Sequence, residues 1–209
     1  MKFVEIGFIV EGDGELAALP ILVRRILHNI DETVFMIDKW EPIIVARNTI
    51  VKPGVLERYV GIAADKIERK GGILILMDAD DDCPAQLGPR LLERAKGAGG
   101  DIPIAVVLAM REYEAWFLAS ATTLRGKCGI STECIIPQNL EAKRDAKGFL
   151  TDNMPKGQAY SATKHQTLFT REIDIELARK NSPSFNKLYR DLQTMILQLQ
   201  ETQSLLPGN

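Results

Sequence analysis

Ile73-Leu74-Ile75-Leu76-Met77 is an unbroken apolar run, and it ends abruptly in Asp78, Asp80, Asp81 and Asp82. Consecutive apolar residues of this kind suit a strand buried on both faces, as in a parallel sheet covered by helices. Such a strand delivers Asp78 at its carboxyl end, where open α/β sheets bind their ligands, and Asp80 returns to the same face one pleat later. Two carboxylates held this close repel each other unless a cation lies between them. Hard oxygen donors of this kind suit Mg²⁺ or Mn²⁺.

The rest of the chain supplies the alternation such a sheet needs. Phe3 to Val10 reads as a central first strand and runs into Glu11-Gly12-Asp13-Gly14-Glu15, whose glycines permit a tight strand-to-helix turn. Leu16 to Ile30 continues as a helix carrying Arg24 and Arg25, with Pro20 expected to kink it and Glu15 in the first turn, where the helix dipole favours an anion. Glu41 to Ala46 is expected as a second strand, Pro53 to Lys70 as a helix, Ile73 to Met77 as the third strand, Gln86 to Lys96 as a helix and Ile102 to Leu108 as the fourth strand. This order predicts an α/β fold: a mostly parallel, four-stranded sheet with right-handed crossovers and helices on both faces. Beyond residue 122 the alternation stops, so residues 1–121 are expected to form the α/β core and 122–209 a mainly helical C-terminal extension packed on it. In the last helix Phe185, Leu188, Leu192, Met195 and Leu199 form one apolar seam. The seam is read as packing on its own domain, with a homodimer as the alternative.

At 209 residues, 45% of them apolar, the chain is long enough for one good core. Met1-Lys2-Phe3-Val4-Glu5 lacks the layout of a signal peptide, and no apolar run approaches the roughly 18 residues of a membrane span. The expectation is a cytoplasmic protein with no membrane partner. Cys83, Cys128 and Cys134 are odd in number and fall in no metal-ligand spacing, so reduced thiols are expected rather than disulfides or a zinc site. The formal charge of −2 argues against a protein that coats nucleic acid, yet residues 141–190 hold ten Lys or Arg against six Asp or Glu, enough for a local basic face.

Acids follow the first, third and fourth expected strands: Glu11 and Glu15, then Asp78, Asp80 and Asp82, then Glu112 and Glu114. In a parallel sheet these ends converge on one crevice, which a scatter of solvated turns would seldom arrange. Residues two apart on a helix do not share a face, so one of Glu112 and Glu114 is expected to point inward. Competing acidic motifs fail on their own terms. An EF-hand loop opening at Asp78 needs glycine and glutamate where Cys83 and Pro89 stand, and no Gly-Lys-Ser/Thr phosphate loop or complete Rossmann glycine pattern is present. A phosphatase of the haloacid type carries its Asp-x-Asp after the first strand, not the third.

Glu11-Gly12 after the first strand and Asp78-Ala79-Asp80 after the third resemble the Toprim fold of topoisomerases, primases and overcoming-lysogenization-defect nucleases. Val10-Glu11-Gly12-Asp13-Gly14-Glu15, Met77-Asp78-Ala79-Asp80-Asp81-Asp82, Glu112-Tyr113-Glu114-Ala115-Trp116-Phe117-Leu118 and Ser182-Pro183-Ser184-Phe185-Asn186-Lys187-Leu188 together are similar to the Toprim-like family DUF4276, over most of the chain. The resemblance implies a Mg²⁺-dependent phosphoryl-transfer site with Glu11 as general acid/base or ligand and Asp78 and Asp80 on the metal. Glu114, two residues before Trp116, resembles the acid of a Toprim group linked to phage defence.

The expected function is a Mg²⁺- or Mn²⁺-dependent nuclease acting on DNA or RNA. Glu11, Asp78, Asp80 and Glu114 are its candidate catalytic residues, and Glu15, Asp82 and Glu112 complete the candidate ligand set. Arg24, Arg25, Arg111, Lys143, Arg144, Lys147, Lys156, Lys164 and His165 are candidates for steering an anionic strand, each weighed against a solvated or structural role. Trp40 and Trp116 are expected in the core rather than as stacking platforms. The rival expectation is a non-catalytic metal- or nucleotide-binding module acting beside a partner ATPase.

Overall fold

The computed structural model describes residues 1–37, 39–135 and 144–205. In chain order the first half comprises β1 (Lys2–Val10), α1 (Asp13–Ile30), β2 (Val34–Ile37), β3 (Ile43–Ile44), α2 (Arg47–Ile50), α3 (Val55–Lys66), β4 (Gly72–Asp78), α4 (Pro84–Gly99) and β5 (Ile104–Ala109). Every strand pairing is parallel and the sheet order is β2-β1-β4-β5, with β3 pairing to the end of β1. The α/β class and the parallel sheet are therefore as the sequence predicts, with helices on both faces.

The differences lie at the sheet edge. Val34–Ile37 is a strand that the sequence reading leaves in a loop, and the strand expected over Glu41–Ala46 shrinks to Ile43–Ile44. Val34 and Met36 face the core while Phe35 and Ile37 stay exposed, so this four-residue edge strand is apolar throughout yet buried on one face alone. Pro42 has no N–H for a ladder and delays the next strand to Ile43. α1 begins at Asp13 and stays helical across the buried Pro20.

β4 shows why its sequence is so apolar. Leu74 and Leu76 enter one core with Val4, Ile6 and Phe8 of β1 and Leu19, Leu22 and Ile26 of α1. Ile73, Ile75 and Met77 enter another, against Leu56 and Val60 of α3 and Leu91 of α4. Both faces of the strand are covered, as an unbroken apolar run requires.

After β5 the chain forms α5 (Ala115–Ala119), α6 (Ala121–Leu124), α7 (Ala146–Asp152), a π turn at Ala162–Gln166, α8 (Thr167–Glu172), α9 (Ile175–Asn181) and the long α10 (Pro183–Leu205). Phe185, Leu188, Leu192, Met195 and Leu199 of α10 are buried in the same core as β1 and α1, so the seam is filled by the chain's own sheet. A Cβ at Gly72 would lie 2.4 Å from the Met195 sulfur, so a larger residue there would make the Met195 side chain of α10 shift from the start of β4. Among the described residues no helix is long and apolar enough to cross a membrane. Cys83, Cys128 and Cys134 are free thiols.

Candidate functional site

The carboxyl ends of β1, β4 and β5 meet, and each delivers an acid. Glu11, immediately after β1, accepts the backbone N–H of Asp78 on Oε2 at 3.2 Å. Asp78, the last residue of β4, accepts the backbone N–H of Tyr113 on Oδ1 at 2.8 Å. Glu114 follows β5 and is only 1% exposed; its Oε1 accepts the Tyr160 hydroxyl at 2.9 Å. Glu15, in the first turn of α1, accepts from Gln166 Nε2 at 2.9 Å. Gln166 is itself buried against Gly14, where a Cβ would fall 1.8 Å from its Oε1, so glycine is required for this close approach.

These carboxylates burden one another. Burial, then the charges of Glu114 and Glu15, push the Asp78 carboxyl well above its ordinary value. Burial also raises Glu11, against the pull of the Asp78 N–H, and the charges of Asp80 and Glu15 add to the rise. Glu114 is raised by burial and lowered by Lys147 and Tyr160, with a net rise. Its Oε2 is buried and has no hydrogen-bond partner among the described residues.

Lys147, in the first turn of α7, is the countercharge. Its Nζ lies 3.1 Å from Glu112 Oε2 and 3.4 Å from Glu114 Oε2. Burial disfavours its charge, but Glu114, Glu112 and Asp78 outweigh that and hold the ammonium above its ordinary pKa. Glu112 caps α7 as well, accepting the backbone N–H groups of Ala146 and Lys147 on Oε1. Glu114, not Glu112, is the member of that pair whose charge acts on Asp78.

Outside this cluster the loop Asp80–Asp82 is bound by arginines. Asp80 and Arg111 both adopt left-handed backbone, φ 49° and 67°, and the Asp80 N–H donates to the Arg111 carbonyl at 3.0 Å. Arg47 donates to the carbonyls of Asp78 and Ala79 at 2.9 and 3.1 Å and pairs with the carboxylates of Asp80 and Asp82. Arg111 and Arg144 both reach Asp81, and a cleft of 230 Å³ opens beside them, lined by Asp80, Asp81, Arg111, Glu112, Arg144 and Asp145.

Other expected site residues stand elsewhere. Arg25 donates to the carbonyls of Thr170 and Ile173 at 2.6 and 2.7 Å and so ties α1 to α8. Arg24 lies on the outer side of α1 beside Trp40, in a groove away from the cluster. Lys156 and Lys164 are exposed, and Lys143 lies outside the described residues. His165 accepts the Ser161 N–H on Nδ1 at 2.9 Å and lies beside the Tyr160 ring. Trp116 is fully buried, whereas Trp40 is half-buried and donates to Glu5 at 2.7 Å. Arg47, Tyr160 and Gln166 are site residues that the sequence reading misses. Arg47 had a usable signal, because it follows the Ile43–Ile44 strand just as the acids follow theirs.

Among the described residues no three acidic, histidine or cysteine side chains stand close enough to form a ready metal site. The donor chemistry still suits a hard cation. Glu11 and Asp78 each commit one carboxylate oxygen to a backbone N–H, and Glu114 adds a buried oxygen without a hydrogen bond among the described residues. Comparison with known proteins agrees on the kinship of the chain. The family described as a domain of unknown function, DUF4276, matches residues 10–193. This chain belongs to the DUF4276 family. The match takes in every acid of the cluster, from Glu11 to Glu114, and extends through Lys147 into the first half of α10. No curated protein and no solved structure matches the chain.

Proposed function

We propose that this DUF4276 protein is a divalent-metal-dependent phosphoryl-transfer enzyme, a nuclease that hydrolyses phosphodiester bonds in DNA or RNA. The observation that carries the reading is a buried acidic cluster short of positive charge: Glu11, Asp78 and Glu114 come from three strand ends, and all three carboxyls are raised. Asp78 and Glu114 would hold Mg²⁺ or Mn²⁺, with Glu15 and Asp80 beside them. A bound divalent cation supplies Lewis-acid polarisation of the phosphoryl group. Glu11, whose carboxyl is raised by burial and so made more basic, takes the proton of the attacking water; the water oxygen bonds to phosphorus, the P–O ester bond breaks, and solvent protonates the leaving oxygen. Arg47, Arg111 and Arg144 line the approach with cations suited to a phosphate backbone. The setting is cytoplasmic, where the exposed Cys83 stays a thiol.

One observation favours a second reading. Lys147 already neutralises Glu112 and Glu114 without any metal, as a binding module acting beside a partner ATPase could use it. Incubation with Mn²⁺ and labelled DNA or RNA separates the two. The enzyme reading expects cleavage that falls by about a hundredfold or more in Glu11→Gln and Asp78→Asn. Metal binding with no cleavage of any nucleic acid would transfer the site to the module.

A further inference from the structure

Asp81 lies between two guanidinium groups. Its Oδ1 is 2.5 Å from Arg111 Nη1 and 3.1 Å from Arg144 Nη2. The Asp81 side chain is 77% exposed, so this anion is not held in place by burial and leaves its arginines at little cost. Arg111 is fixed, with Nη1 also donating to the Asp80 carbonyl at 3.0 Å. Its Nε is buried and has no partner among the described residues, which leaves donor capacity unmet on the inner guanidinium. The cleft these side chains line is 230 Å³, and Glu112 on its wall also contacts Lys147 of the acidic cluster.

We infer that Arg111 and Arg144 form a phosphate-binding subsite for a nucleic-acid strand, and that the Asp81 carboxylate is a displaceable stand-in for that phosphate. A planar, multiply donating guanidinium pair matches phosphate oxygens better than a single carboxylate, and a dianionic or bridging phosphate outcompetes Asp81 once it arrives. The inference rests on the phosphate-ester substrate proposed above but not on turnover, since no metal takes part in it.

The test is fluorescence anisotropy of a fluorescein-labelled single-stranded oligonucleotide with the full chain in EDTA. Asp81→Asn should tighten binding about fivefold, while Asp101→Asn, an equal charge change at an exposed residue before β5, shifts it by less than about twofold. Arg144→Ala, at a side chain 72% exposed and therefore safe for folding, should weaken binding about fivefold and cancel most of the Asp81→Asn gain in the double variant. Equal effects of Asp81→Asn and Asp101→Asn would overturn the inference, as would a double variant that keeps the full gain or an oligonucleotide that binds none of these proteins. Cleavage in Mn²⁺ that persists beside such a result would remove the subsite alone. Binding that behaves as expected without cleavage would remove the enzyme reading alone.

Discussion

Lys147 Nζ stands 3.4 Å from Glu114 Oε2, a buried carboxylate oxygen with no hydrogen bond of its own among the described residues. The pair joins α7 to the turn after β5, and through Glu114 it reaches Asp78. The cluster therefore carries its own cation in the absence of metal, and the consequences are measurable.

Replacing Lys147 by Met leaves Glu114 buried beside Asp78 without compensation. Breaking a fully buried pair costs about 3–5 kcal/mol; Lys147 is 46% exposed, so solvent screening reduces the expected loss to about 1–2 kcal/mol near pH 8. Near pH 5 the loss should be smaller, because the raised Glu114 carboxyl gains protons as pH falls and the uncompensated charge declines with it. Urea titrations at the two pH values check this, and equal losses would argue against a charged Glu114.

The pH dependence of the metal-free protein follows from the same groups. Asp78, Glu11 and Glu114 are raised, chiefly by burial, so folding favours their protonated forms. Their contribution is full below the ordinary carboxyl range and is lost as pH rises through the folded values. Asp31 and Glu57, held at about 2 by hydrogen bonds from Thr33 and Arg94, act in the opposite sense: their contribution is present above the ordinary range and lost as pH falls toward 2. In chelator, then, thermal stability should decline as pH rises above the ordinary carboxyl range, and Asp78→Asn should flatten that decline. Parallel melting curves for the two proteins would count against the raised Asp78.

One hydroxyl ties the start of α10 to the segment that follows β5. Ser184 Oγ, at the start of α10, accepts the Trp116 indole N–H at 2.9 Å and the Met110 backbone N–H at 3.2 Å. Ser184→Ala strands both donors, so a loss of about 2 kcal/mol is expected, with one unfolding transition by tryptophan fluorescence and by circular dichroism. Two separated transitions would mean that the extension unfolds independently.

Much of this architecture could be read from residue order because its causes are local. The apolar run before Asp78 has one meaning in a chain of this length, and the acids after β1, β4 and β5 needed only the rule that parallel strands point the same way. The edge strand Val34–Ile37 is apolar throughout but only four residues long, too short for its period to be separated from an apolar loop. The partners of the acids were illegible for another reason. Tyr160 and Gln166 reach the cluster through a loop and a π turn, whose course no periodicity encodes, whereas Arg47 opens α2 just after β3, a place the rule for strand ends points to. Arg25 reads as a surface cation on a helix, and only the fold reveals the Thr170 and Ile173 carbonyls that claim it.

The central proposal is that Asp78 and Glu114 hold a divalent cation beside Glu11. Calorimetric titration of the purified chain with Mn²⁺ near pH 7.5 tests it most directly, beside Asp78→Asn and Glu114→Gln. The account predicts a saturable heat for the native chain that weakens by at least about tenfold in each variant. An absence of heat, or a heat that both variants retain unchanged, would contradict it.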